Sequence, residues 1–131
     1  MSLPPNPESL TKLESFTLTP EHLVASIAIP SEVMIARPPT LEVDVTELSN
    51  PTRVPLEVAV SMEVGGLKIP VGGFAFYPAD NKGNFLLNSQ PVFARAGNSE
   101  GASLIFELQK LTSNAWNPVR VTIAPPKWRT Q

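Results

Sequence analysis

The sequence predicts an all-β protein: an antiparallel β-sandwich, immunoglobulin-like or a related Greek key, with seven to nine strands. Three observations predict it. The first is the run from Pro55 to Val64. Leu56, Val58, Val60, Met62 and Val64 are apolar there, and Glu57, Ala59, Ser61 and Glu63 between them are polar or small. Side chains alternate across a strand, so one face of this run enters a core and the other meets water. The second is that the same alternation recurs at short spacing, while no segment holds the helical period over three turns. The third is proline. The chain of 131 residues has fifteen, clustered at Pro4, Pro5 and Pro7, at Pro38-Pro39 and at Pro125-Pro126. Proline fixes φ and lacks a ladder donor, so these positions punctuate strands.

Each element follows in order. Residues 1–12 read as a flexible arm, 13–126 as a single sandwich domain and 127–131 as a tail. Ser9 to Phe16 and Ser31 to Ala36 each have room for a helical turn. Phe16 to Leu18 reads as a short strand. Leu23, Ala25, Ile27 and Ile29 alternate with Val24, Ser26 and Ala28, giving a strand expected to be buried on nearly both faces, ended by Pro30. Leu41, Val43 and Val45 oppose Glu42 and Asp44; Leu48 then falls out of phase, as a bulge allows. Asn50-Pro51 is a turn signal.

After the strand at 55–64, Gly65-Gly66 is a two-residue hairpin loop returning into Leu67, Ile69 and Val71. Gly72-Gly73 shifts the phase before Phe74 and Phe76, which implies a bulge or a bend between sheets. Pro78 to Gly83 is a loop, Asn84 to Asn88 a short strand, and Ala96 to Gly101 another loop. Leu104, Phe106 and Leu108 point inward from the strand Ser103 to Lys110. Val119, Val121 and Ile123 form the last strand, stopped by Pro125-Pro126.

Composition narrows the function. A length of 131 residues suits one domain with its own core, without disulfides or a structural metal. Net charge is −2, and Lys and Arg form no basic stripe, which argues against nucleic acid and polybasic membrane anchoring. No apolar run approaches a bilayer-spanning length, so membrane insertion is not expected. The absence of cysteine excludes a disulfide framework and thiolate metal sites. No charged and apolar leader pattern is visible at Met1 to Pro7, so the default location is the cytoplasm. Charged residues are only 17% of the chain, so parts of the surface are expected to be neutral or apolar, which fits equally a partner-covered surface and the poorly charged surface of an ordinary monomer.

Candidate chemistry is sparse. His22 is the only histidine, and no G-x-S-x-G elbow accompanies it, so it reads as a surface residue. Asp80 to Asn84 lacks the alternating oxygen ligands and terminal Glu of a calcium loop and reads as a turn. Glu42, Asp44, Glu47, Glu57 and Glu63 lie on outward strand faces. No catalytic residue, cofactor or metal site is expected. The aromatic segment Phe74-Ala75-Phe76-Tyr77 and the terminal Trp128 are the candidate partner-binding residues: Phe74, Phe76, Tyr77 and Trp128. For Phe74 and Phe76 the alternative is a place in the core, and for Trp128 it is to cap one end of its own sandwich. Trp116, in the connection before the last strand, reads as structural.

The stretch Val71-Gly-Gly-Phe-Ala-Phe-Tyr-Pro78, followed by Ala102-Ser-Leu-Ile-Phe-Glu-Leu-Gln-Lys-Leu111 and Asn117-Pro-Val-Arg-Val-Thr-Ile-Ala-Pro125, resembles the C-terminal β-sandwich of type-3 copper oxidases, the tyrosinase and plant polyphenol oxidase group. The resemblance covers about the last two-thirds of the chain. In that group the domain covers the dicopper centre as a lid and carries no copper ligands, and nothing in this chain corresponds to the histidine-bearing helical domain. The resemblance therefore implies a non-catalytic accessory domain that shields a site or assists assembly in trans. The expected partner is another protein or a second copy of the chain. Two other readings stand beside it: a self-associating structural subunit, and a sandwich binding a small ligand between its sheets.

Overall fold

The computed structural model describes residues 15–51, 55–75, 83–97, 101–110 and 118–130. Within them lie β1 (Phe16–Leu18), β2 (Val24–Ala28), α1 (Ser31–Ala36), β3 (Thr40–Ser49), β4 (Leu56–Val64), β5 (Leu67–Ala75), β6 (Asn84–Asn88), α2 (Gln90–Ala96), β7 (Ser103–Lys110), β8 (Arg120–Ile123) and β9 (Lys127–Arg129). The strands form two sheets, β1-β8-β3-β6 with β9 also on β3, and β2-β7-β4-β5. Every pairing is antiparallel. Fold class and strand number are as the alternation predicts. The order decides between the two topologies that the sequence leaves open. An immunoglobulin-like sandwich pairs its first two strands in one sheet. Here β1 and β2 lie in opposite sheets, and from β1 to β8 the chain changes sheet at each connection except the β4–β5 hairpin; β9 then stays in the sheet of β8. That is the double Greek key of a jelly roll.

Local chemistry sets each element. Gly65 and Gly66 have φ of 58° and 80°, the double positive φ of a tight hairpin turn whose twist suits the flanking strands. The phase slip before Leu48 is a bulge: Val45 faces Ile123 and Glu47 faces Thr122, leaving Thr46 extra. The second slip is also a bulge, at Val71, since Val60 faces Gly72 and Ser61 faces Pro70. It does not move the strand between sheets, because β5 pairs with β4 along its whole length. Ser31 to Ala36 is a helix, ended by Arg37 at φ 52° and followed by Pro38.

Three features differ from expectation. β2 is buried on one face only: Ile27 is buried, whereas Val24, Ser26 and Ala28 are exposed. The described strands form only two sheets, so the outward face of each is uncovered, and at the edge β2 has a described strand beside it on one side only. Helix α2 occupies part of a segment where no element was expected. Its signals are Pro91 in the first turn and Gly97 just after the end. Pro125-Pro126 bends the chain without ending the sheet. Ala124 N–H donates to Asp44 O at 2.9 Å, and the expected tail continues as β9 on β3, with Leu41 facing Trp128. The arm at 1–12, the turn at Ser9, most of the loop after Pro78, and Trp116 lie outside the described residues.

The core fills the space between the sheets. Leu41, Val43, Val45, Val121 and Ile123 of one sheet and Leu56, Val58, Val60, Met62, Leu104, Phe106 and Leu108 of the other are all buried. Among the described residues, two aromatic pairs cross from sheet to sheet. Phe16 of β1 meets Phe106 of β7 at 5.0 Å between centroids, and Phe74 of β5 stacks on Phe85 of β6 at 4.3 Å. Ser89 is fully buried but satisfied: its hydroxyl donates to Pro38 O at 2.7 Å and its N–H to Pro39 O at 2.9 Å. Phe106 is fully buried on an inner strand, so Phe106→Ala is expected to lower the unfolding free energy by about 3–5 kcal/mol. Urea denaturation checks it, as a lower midpoint with the slope unchanged.

Candidate interaction site

Trp128 is placed by three constraints. The Pro125-Pro126 bend carries the chain past Ile123 and lays β9 beside β3. Strand alternation then points Trp128 to the same side as its buried register partner Leu41, while Lys127 and Arg129 point outward. Its ring packs on Phe93 of α2 at 5.5 Å and 54°. Trp128 is half-buried, and it lines a cleft of about 260 Å³ at one end of the sandwich. Ile27, Ile29, Pro30 and Pro126 give the cleft apolar walls, and Glu32 of α1 is its charged member. Ile35 stands one turn beyond Glu32 on the same helix, and its side chain is 82% exposed.

The other named aromatic residues fare differently. Phe74 is 6% exposed and stacked on Phe85, so its ring is committed to joining the sheets. It is corrected from a candidate contact to a core residue, as the alternative for this strand had it. Phe74 stacks on Phe85 of β6, and Trp128 packs on Phe93 of α2. Phe76 and Tyr77 lie outside the described residues. Ile35 was missed by sequence reasoning. Its signal is the apolar run Val33-Met34-Ile35: on one helical turn three successive side chains cannot all face a core, and here Met34 is buried and Ile35 is not.

The polar candidates are structural. His22 is exposed and closes a turn, its N–H donating to Thr19 O at 2.9 Å and its carbonyl accepting from Thr19 N–H at 3.1 Å. Among the described residues, no group of three or more His, Asp or Glu is placed to hold a metal ion. Glu42 ties three strands on the outer face of its sheet. One of its oxygens accepts from Arg129 of β9 at 2.7 Å, and the other from the Asn84 amide of β6 at 2.7 Å. A wider groove of about 530 Å³ opens beside this clamp, along Thr40, Leu86, Asn88 and Arg129, with Leu86 62% exposed.

The Arg129 hydrogen bond, then that from Asn84, holds the Glu42 carboxyl below its ordinary value of 4.5; its modest loss of solvent acts the other way. No protein-family model matches the chain, and no curated protein matches it.

A carboxyl held low in the folded state contributes stability above its unfolded pKa, and that contribution is lost as pH falls through the folded pKa. Arg129→Gln is therefore expected to return the Glu42 pKa toward 4.5 and to flatten the acid limb of the stability curve. Carboxyl-carbon NMR titration of both proteins checks the shift; an unchanged Glu42 titration would show that Arg129 does not set it.

Proposed function

We propose that this chain is a non-catalytic β-sandwich module that binds another protein through the end of the sandwich bearing Trp128. The carrying observation is the apolar cleft beneath Trp128 with the outward Ile35 on the adjoining helix. An isoleucine left this open to water gives up about 1.5–3 kcal/mol that a complementary surface would recover. Trp128 arrives already oriented: its packing on Phe93 and its strand pairing to Leu41 remove most of the ordering cost that a loose tryptophan would carry into a complex. An anchor half-seated in its own fold, beside a cleft able to accept a partner's side chain, suits a contact site.

The specific form of this proposal is an accessory domain for a type-3 copper oxidase, covering or assembling that enzyme in trans. It rests on the resemblance of the stretches 71–78, 102–111 and 117–125 to the lid domain of that group. In this role the chain supplies shape and contact, and the copper chemistry belongs to the partner.

Capture of the tagged chain from its native lysate tests the proposal, with recovered proteins identified and their stoichiometry measured. A stoichiometric copper oxidase is the expected result. Ile35→Lys, which replaces an exposed side chain, is expected to cut that recovery at least tenfold with the melting temperature unchanged. Recovery of a different enzyme would keep the module and remove the lid role. Recovery of no partner, or recovery indifferent to Ile35→Lys, would overturn the Trp128-end assignment.

A further inference from the structure

Among the described residues the open sheet edges, those of β1, β2, β5, β6 and the three-residue, basic β9, are not equally protected. β5 and β6 end their sheets on the same side and lie in contact, and β5 also carries Lys68 and Pro70. β1 is only three residues long. Short strands, lysine and proline are ordinary ways to blunt an edge. β2 has none of these. It is a five-residue edge strand, Val-Ala-Ser-Ile-Ala, with no charge and no proline. Among the described residues, β7 is the only strand that pairs with it.

The ladder with β7 shows which backbone groups β2 leaves over. Leu108 N–H donates to Leu23 O at 2.8 Å, and Ile29 N–H donates to Ala102 O at 2.9 Å. In an antiparallel ladder the residues that exchange bonds with one neighbour alternate with those that face the other side. The odd residues of β2 therefore face β7. The N–H and C=O groups of Val24, Ser26 and Ala28 face the open edge. Their side chains stand on the exposed face, with Val24 53% exposed.

We infer that this edge is a self-pairing surface, and that its occupant is β2 of a second copy of this chain, antiparallel about a two-fold axis at Ser26. The register is self-complementary. Ser26 faces its own counterpart, and Val24 and Ala28 face each other on either side. All three are bond-exchanging positions, so the outward groups of each strand are satisfied by the other. No like charges meet, because Val24–Ala28 holds none. The small side chains of Ser26 and Ala28 leave room for the approaching strand, and Ala28 of one copy covers the exposed Val24 of the other. The four-stranded sheet of each copy becomes half of one continuous antiparallel sheet. The inference goes beyond the Trp128-end proposal and does not depend on it: capture can fail while the dimer stands, and the reverse.

Sedimentation equilibrium of the full chain from micromolar to millimolar concentration tests it. The expected result is a shift from one chain mass of 14.2 kDa toward two. Ser26→Lys and Ser26→Glu each place like charges across the axis and are expected to weaken self-association at least tenfold. The melting temperature of the dilute monomer should not move, since Ser26 is exposed. An equimolar mixture of the two variants is expected to restore a mixed dimer, because Lys then faces Glu. A wild-type chain that stays monomeric at millimolar concentration overturns the inference and leaves the edge to some other strand. Dimers that persist in Ser26→Lys, or variants that fail to recover when mixed, overturn the register and with it the assignment to β2.

Discussion

The interlock between the two sheets is the constraint on which the rest of the structure depends. Neither sheet is stable alone: each presents an apolar inner face whose burial needs the other. The fit is made in the middle by aliphatic residues of β3, β4, β7 and β8, and toward the two sides by aromatic pairs that cross from sheet to sheet. Phe16 on Phe106 ties the side where β1 and β2 lie, and Phe74 on Phe85 ties the side where β5 and β6 lie. Because the chain crosses between sheets at nearly every connection, the contacts that hold the sheets together are also the contacts that hold sequence-distant strands together.

The Trp128 end of the sandwich follows from this interlock. β3 is long enough to pair with β6 on one side and with β8 and then β9 on the other. The proline pair bends the chain between β8 and β9, and the bend delivers Trp128 to the end of the sandwich with one side of its ring on Phe93. The Arg129–Glu42–Asn84 clamp fastens the same short strand from the outer face. Inward packing and outward polar bonding thus hold the anchor in place. The β2 edge arises differently. It is what an open sandwich leaves over when the other sides are closed, shortened or guarded.

The sequence was legible where local alternation decides structure. The β4 pattern, the Gly65-Gly66 turn and both phase slips appear at the expected places, because a period of two and a broken period are local signals. Strand order was not legible. Alternation says that a residue faces a core without saying which strand lies beside it, and both sandwich topologies share the pattern. For the same reason β2, whose Val24 and Ala28 are apolar, read as buried on nearly both faces; its outward side at a sheet edge leaves them exposed. Of the candidate site, Trp128 was legible as a tryptophan after a proline bend. Phe74 was ambiguous, because an inward aromatic residue and an outward one differ only in which neighbours the fold provides. Ile35 was overlooked because one helical turn is too short for its period to be read.

The most direct test of the account is native-state amide hydrogen exchange on the dilute chain. If the two sheets share one interlocked core, the slowest amides of β3 and β8 in one sheet and of β4 and β7 in the other should open with the same free energy, equal to that of global unfolding. Exchange of one sheet through a distinctly cheaper opening, with the other still protected, would show that the sheets are separable and would contradict the account.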